Sequence, residues 1–198
     1  MSRKARHNQR VRSRILQAAG KVFRAHGYER SKIDDIMEDA GLTRGAFYAH
    51  FPAKSALLSA VIGERDIFLL QLQQRSDAAP DALRLGLCDL IARFLAPAHF
   101  QRVRSSWNLP ILARDAALGD PAARLAFERT SRAIFAEMSR GFPDPPKPMI
   151  FQAVLCQMTG ALEIAGACAS DKLRADLLEA ARDAACAALE AAFGQENG

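Results

Sequence analysis

The stretch Gly41-Leu-Thr-Arg-Gly-Ala-Phe-Tyr-Ala-His-Phe51 decides the fold. Gly41 makes a tight turn, and Thr43 stands as N-cap of a short helix that runs to about His50. Leu42, Phe47 and Phe51 form its inner, apolar side. Thr43, Arg44, Gly45, Ala46 and Tyr48 form an outer side of small and polar residues. Gly45 has no side chain to hold the backbone away from whatever docks there. Working outward, Ser31 opens a preceding short helix, with Asp34 three residues on as in a capping box. Asp34 and Asp35 in its first turn suit the helix dipole, and Ile33, Ile36, Met37 and Ala40 are its buried stripe. Before it, Ile15, Ala18, Ala19, Val22 and Phe23 recur at helical spacing in a longer helix from Arg10. His26-Gly27 ends that helix, with Gly27 placed for a left-handed C′ position. Residues 1–9 are basic and polar, with nothing to bury, and read as a mobile arm. Two short helices joined by a glycine turn after a longer one describe a three-helix DNA-binding unit.

Charge supports this placement. The chain of 198 residues has a formal net charge of +5. Residues 1–54 hold twelve Lys and Arg against five Asp and Glu, whereas residues 55–198 hold fifteen against seventeen. The whole positive excess therefore surrounds the three-helix unit, as an electrostatic footprint for nucleic acid requires.

The rest of the chain reads as all-α, for a total of about nine helices. Pro52 fits the first turn of a fourth helix through Leu57, Leu58, Val61, Ile62, Phe68, Leu69 and Leu72 to about Arg75. Helices follow over 81–95, over 102–117 with a kink at Pro110, and from Asp120-Pro121 to near Gly141. The proline-rich stretch 141–148 reads as a loop, and two final helices cover about 149–169 and 171–193. There is no alternating strand pattern and no internal repeat. Two domains are expected: 1–53, with the basic arm and the helix-turn-helix, and 54–198.

Several classes are disfavoured. No nucleophile elbow, phosphate loop or metal-ligand spacing is present, so the chain reads as neither an enzyme nor a metal or cofactor protein. Cys88, Cys156, Cys168 and Cys186 sit among Ala and Leu and read as reduced structural residues. No apolar signal region follows the basic N-terminus, and no uninterrupted apolar run approaches a membrane span. A cytoplasmic protein with no membrane partner is expected.

The stretch 41–51 resembles the signature of the tetracycline-repressor-like family: Gly-hydrophobic-Ser/Thr-Lys/Arg-Gly-x-hydrophobic-Tyr-x-His-Phe. Phe23, Gly27, Ser31, Ile33, Ile36, Ala40, Lys54 and Leu57 also match the family's pattern, whereas Met37 and Ala53 depart from it. The resemblance implies a transcriptional regulator with an N-terminal helix-turn-helix domain and a C-terminal helical domain for effector binding and dimerisation. By position, Thr43, Arg44, Gly45, Ala46 and Tyr48 face the major groove. Arg44 is the residue for a guanine edge, because its fork can bond O6 and N7 together; a phosphate contact is its alternative. Tyr48, His50, Thr43 and Lys54 are assigned to phosphates, with Ser31 and Lys32 as a further phosphate site at a helix N-terminus.

The remaining roles are softer. Effector-binding candidates are Phe68, Phe94, Phe100, Trp107, Asn108, Gln157 and Met158, a lining that suits an apolar or aromatic small molecule. The last two helices are rich in small and apolar residues, which suits a homodimer interface. The expected partners are a palindromic double-stranded operator, a small effector and a second copy of the chain. Release of a repressor from its operator by the effector is the favoured mode; an activator on the same fold, or a nonspecific DNA-binding protein, is the alternative.

Overall fold

The computed structural model describes residues 3–64, 66–75, 79–140, 142 and 148–194. Among these, the chain is helical throughout: α1 (Arg3–His26), α2 (Ile33–Asp39), α3 (Arg44–Tyr48), α4 (Lys54–Glu64), α5 (Ile67–Gln73), α6 (Pro80–Leu95), a 3-10 turn (Pro97–His99), α7 (Phe100–Ser106), α8 (Asn108–Leu118), α9 (Pro121–Ser139), α10 (Met149–Ala167) and α11 (Asp171–Gly194). The chain divides into two compact units, Met1–Asp66 with Ile111–Thr130, and Ile67–Pro110 with Ser131–Gly198. The first extends past the boundary expected at residue 53. The reason is the core: Leu57, Leu58, Val61 and Ile62 of α4 are buried with Ile15, Phe23, Ile36, Phe47 and Phe51, and Leu112, Ala116, Ala123 and Ala126 complete the cluster. Each large apolar side chain buried this way contributes roughly 2–3 kcal/mol.

Three local expectations are corrected. Residues 3–9 are not an arm but the opening turns of α1. The fourth helix is two helices, α4 and α5. The break expected at Pro110 falls instead at Trp107, with Pro110 in the first turn of α8. A proline has no N–H for the carbonyl four residues back and clashes with it, so the helix is interrupted upstream of the ring. The expected loop over 141–148 lies almost wholly outside the described residues.

In the second unit, α10 packs against α11 and α6. Its buried face is Phe151, Val154, Leu155, Met158, Ala161, Leu162 and Ala165. By length and composition alone α10 could cross a membrane. Its packing, and the interruptions at Gln152, Gln157 and Glu163, are those of a core helix. Asp120 caps α9 by accepting the Ala123 N–H at 2.9 Å, as its place before Pro121 requires.

Candidate nucleic-acid interface

The outer face of α3 is held by what lies beneath it. Phe47 is fully buried, stacks on Phe51 with ring centroids 6.0 Å apart, and meets Tyr48 edge-on at 5.0 Å. Gly41 has φ +61°, a left-handed conformation that costs glycine nothing. The Leu42 N–H donates to the Met37 carbonyl and the Gly41 N–H to that of Glu38, closing the α2 terminus as a Schellman motif. The turn between α2 and α3 is thereby fixed, and with it the angle at which α3 is presented.

From α1, the Arg14 guanidinium donates to the carbonyls of Ala40 (2.6 Å) and Gly41 (3.3 Å), and Lys21 pairs with Asp39. Arg12 lies 4.5 Å from the centre of the Phe51 ring. These three cations were missed as functional candidates. They reach across to the helix pair, although Arg14 and Lys21 stay exposed, and only their spacing from Phe23 and Ile15 on α1 signals it.

Thr43, Arg44, Gly45 and Tyr48 are exposed together on α3, with Ala46 and His50 half-buried beside them and Lys32 exposed at the N-cap of α2. Arg44 is already engaged: it donates to both carboxylate oxygens of Asp34, at 2.9 and 2.7 Å. Hydrogen bonding to Tyr48, with the Asp34 carboxylate second, pushes its guanidinium above the ordinary arginine range. A single nitrogen, Nη1, makes both contacts, so the guanidinium is held by a carboxylate that a base edge or a phosphate could replace.

Two of the nine expected DNA-binding residues do different work. Ser31 is buried, and its hydroxyl donates to the Gly27 carbonyl at 2.7 Å, so it neither caps α2 nor faces outward. The N-cap of α2 is Lys32, without a side-chain cap. Lys54 donates to the carbonyls of Tyr28 (2.8 Å) and Ser31 (3.1 Å) and lies 4.2 Å from the centre of the Tyr28 ring. Buried carbonyls need donors, and Lys54 supplies them where the chain turns between α1 and α2. On the other side of that turn the Tyr28 N–H donates to the Asp115 carboxylate of α8 at 3.0 Å. Asp115 is another missed residue; its distance of 87 positions from Tyr28 left no local pattern to read.

The effector candidates are brought together in part. Phe68, Phe94 and Trp107 form a closed aromatic trio, with ring centroids 5.0 to 5.3 Å apart. Phe100, Asn108 and Met158 are also buried. Gln157 is half-buried, and its Oε1 is shut from solvent with no hydrogen-bond donor among the described residues. A cleft of about 390 Å³ is lined by Ile67, Leu70, Gln71, Gln74, Arg75 and Arg93, none of them an expected effector residue. Burial, and then Arg93, pull the Arg75 guanidinium below its ordinary range.

Residues 15–61 match the family model "Bacterial regulatory proteins, tetR family". The match takes in the helix-turn-helix and the helices that brace it, and leaves the rest of the chain outside the family model. It is 43% identical over 65 residues to the A-factor receptor protein of Streptomyces griseus, a stretch that is 33% of this chain and 23% of that protein. It is 35% identical over 86 residues to the regulator AcrR of Shigella flexneri, 42% of this chain and 40% of that one. The chain thus spans well under two thirds of the length of these relatives. The likeness to solved structures runs further. The SmeT–triclosan complex is 26% identical with a TM-score of 0.66, covering 90% of both chains. The reduced form of E. coli NemR has a TM-score of 0.70 at 17% identity, covering 87% of this chain and 94% of that one, a likeness of fold.

Proposed function

We propose that this chain is a regulator of the tetR family, sequence-specific, binding a palindromic operator as a homodimer and released by a small effector. The observation that carries the reading is the outer face of α3. Thr43, Arg44, Gly45 and Tyr48 are exposed on a helix locked by Phe47 and the Gly41 turn, inside the stretch that matches the family. A five-residue helix reads few base pairs, so a second half-site supplies the missing specificity. Repression is the favoured mode. The experiment is selection of duplexes from a randomised pool by the purified protein, followed by footprinting. A protected palindrome is expected; enrichment of no sequence would overturn the reading in favour of nonspecific binding.

Dimerisation through α10 and α11 is supported by their outer faces. Ala153, Cys156, Gly160, Ile164 and Ala167 lie along one side of α10 with little or no cover, and Leu173, Leu177, Ala184 and Ala191 repeat this on α11. Small residues at three- and four-residue spacing let helices approach closely. A Cβ added at Gly160 would meet nothing within 4 Å, whereas one at Gly166 would fall 2.7 Å from Arg104 Nε. The open glycine suits a partner helix.

For the effector, the Phe68–Phe94–Trp107 trio and the donor-less Gln157 Oε1 support an apolar or aromatic molecule with a hydrogen-bond donor. SmeT, whose complex holds triclosan, is a relative that takes such a ligand. Trp107 directly precedes α8, and α8 carries Asp115, which holds the Tyr28 turn. An effector that displaces Trp107 would act on that helix, and it weakens DNA binding only as far as it favours the DNA-incompetent state. Quenching of the single tryptophan on titration with triclosan is expected, together with a rise in melting temperature.

A further inference from the structure

α1 is longer than its core requires. Its packing begins with the half-buried Val11, yet the helix starts at Arg3, so about two further turns stand beyond the packed part. Residues 3–10 are all exposed. They bury nothing, and their electrostatics oppose helix formation. The N-terminal end of a helix carries partial positive charge and is stabilised by acids. Here no acid stands in the first turn, and none precedes Glu29 in the chain; Arg3, Lys4, Arg6 and Arg10 stand there instead. The free protein carries this arrangement at a cost, which a polyanion would remove.

The cations are also ordered. At 3.6 residues per turn, Arg3, Arg6, His7, Arg10 and Arg14 fall within a sector of about 100° on one face of α1. Lys21 falls on the same face. The two inner members show where that face points. Lys21 pairs with Asp39 at the end of α2, and Arg14 donates to Ala40 and Gly41 in the turn that leads into α3. The other end of α1 leads to Gly27 and to Tyr28, which Asp115 of α8 holds. The stripe Arg10–His7–Arg6–Arg3 therefore continues past the α2–α3 turn, on the side away from α8. From Arg14 to Arg3 the rise is about 16 Å, and phosphates along one strand repeat about every 3.4 Å of duplex axis.

We propose that the first two turns of α1, Arg3 to Arg10, form a second DNA-contacting element, a preformed basic rail that grips the phosphate backbone beside the segment read by α3. The inference rests on the DNA-binding reading above. It assigns Arg3, Arg6 and Arg10 to sequence-independent affinity, and leaves sequence preference to α3.

The test uses the full chain and a fluorescently labelled random-sequence duplex of about 30 base pairs, with affinity followed from roughly 50 to 300 mM salt. The rail variant is Arg3→Gln, Arg6→Gln, Arg10→Gln; glutamine keeps helix propensity and removes charge. The slope of log affinity against log salt should fall by about 0.9 for each phosphate that is no longer neutralised, two to three units per protomer in all. Affinity near 100 mM salt should fall about tenfold or more. A charge-matched control, Arg102→Gln, Lys172→Gln, Arg182→Gln, should keep the parent slope. The triple lysine variant at 3, 6 and 10 should keep it too, because phosphate attraction needs charge rather than the arginine fork. A rail variant with the parent's slope, or a control whose slope falls as much, would overturn the inference while the DNA-binding reading stands. No binding of any duplex by the parent would overturn both.

Discussion

The two units hold their candidate residues in opposite ways. In the first, Thr43, Arg44, Gly45 and Tyr48 stand exposed on a helix whose underside is fully packed. In the second, Phe68, Phe94 and Trp107 are themselves the packing. A duplex is a rigid, highly charged ligand of fixed groove geometry, and a protein can meet it with a surface made in advance. A small apolar ligand must be enclosed, and in this conformation the residues suited to enclose it are closed on one another. Under the proposed function, the contrast sets recognition by presentation in the first unit against recognition by rearrangement in the second.

That contrast can be broken at several points. Phe47→Ala removes the side chain that supports the α3 face, and should cost about 3–5 kcal/mol in denaturant unfolding. DNA binding should disappear with it. If binding survived, the face would not depend on its packing. A smaller global effect is expected of Gly160→Arg. The protomer has open space there, so the melting temperature should change little, but sedimentation should show monomers and palindrome affinity should fall. A dimer that persisted would place the interface elsewhere.

Asp115→Ala leaves the partly buried Tyr28 N–H without its acceptor, at a cost of about 1–3 kcal/mol by ordinary hydrogen-bond energetics. Hydrogen exchange at Tyr28 should quicken, and DNA affinity should respond less to an effector. An unchanged effector response would remove Asp115 from the coupling. The smallest effect concerns the thiols. Burial, and then the neighbouring Cys186, push the Cys88 thiol up to about 11, so almost no thiolate exists at pH 7 and more appears only as pH rises toward that value. Cys88 should therefore be alkylated last of the four at pH 7.5, by mass spectrometry of tryptic peptides, and Cys156, on the proposed dimer face, should react faster in the Gly160→Arg variant than in the parent.

How much the sequence told follows the same division. The order of the helix-turn-helix, its inner residues Phe47 and Phe51, and the left-handed glycines Gly27 and Gly41 were all legible, because each rests on local spacing or on a φ that only glycine adopts freely. Ser31 and Lys54 were read as phosphate contacts, but the fold uses both to satisfy backbone carbonyls. Polar residues beside a DNA-facing helix look alike in sequence whether they turn in or out. The helical start of α1 was not legible, because residues 3–9 have no apolar stripe and their only order is a stripe of charge. Asp115 was invisible, since its partner lies far along the chain. In the second unit, burial of Phe94 or Met158 followed from composition, but whether such residues line a cavity or fill it is decided by tertiary packing alone.

The central claim is that the exposed face of α3 reads sequence, with Arg44 exchanging Asp34 for a base edge. The measurement that tests it most directly compares Arg44→Ala with the parent on two duplexes at one salt concentration, the selected palindrome and a random sequence. The account expects palindrome affinity to fall about ten- to a hundredfold and random-duplex affinity far less, so that preference for the palindrome collapses. An equal fall on both duplexes would contradict it, and would reduce Arg44 to one more hand on the backbone.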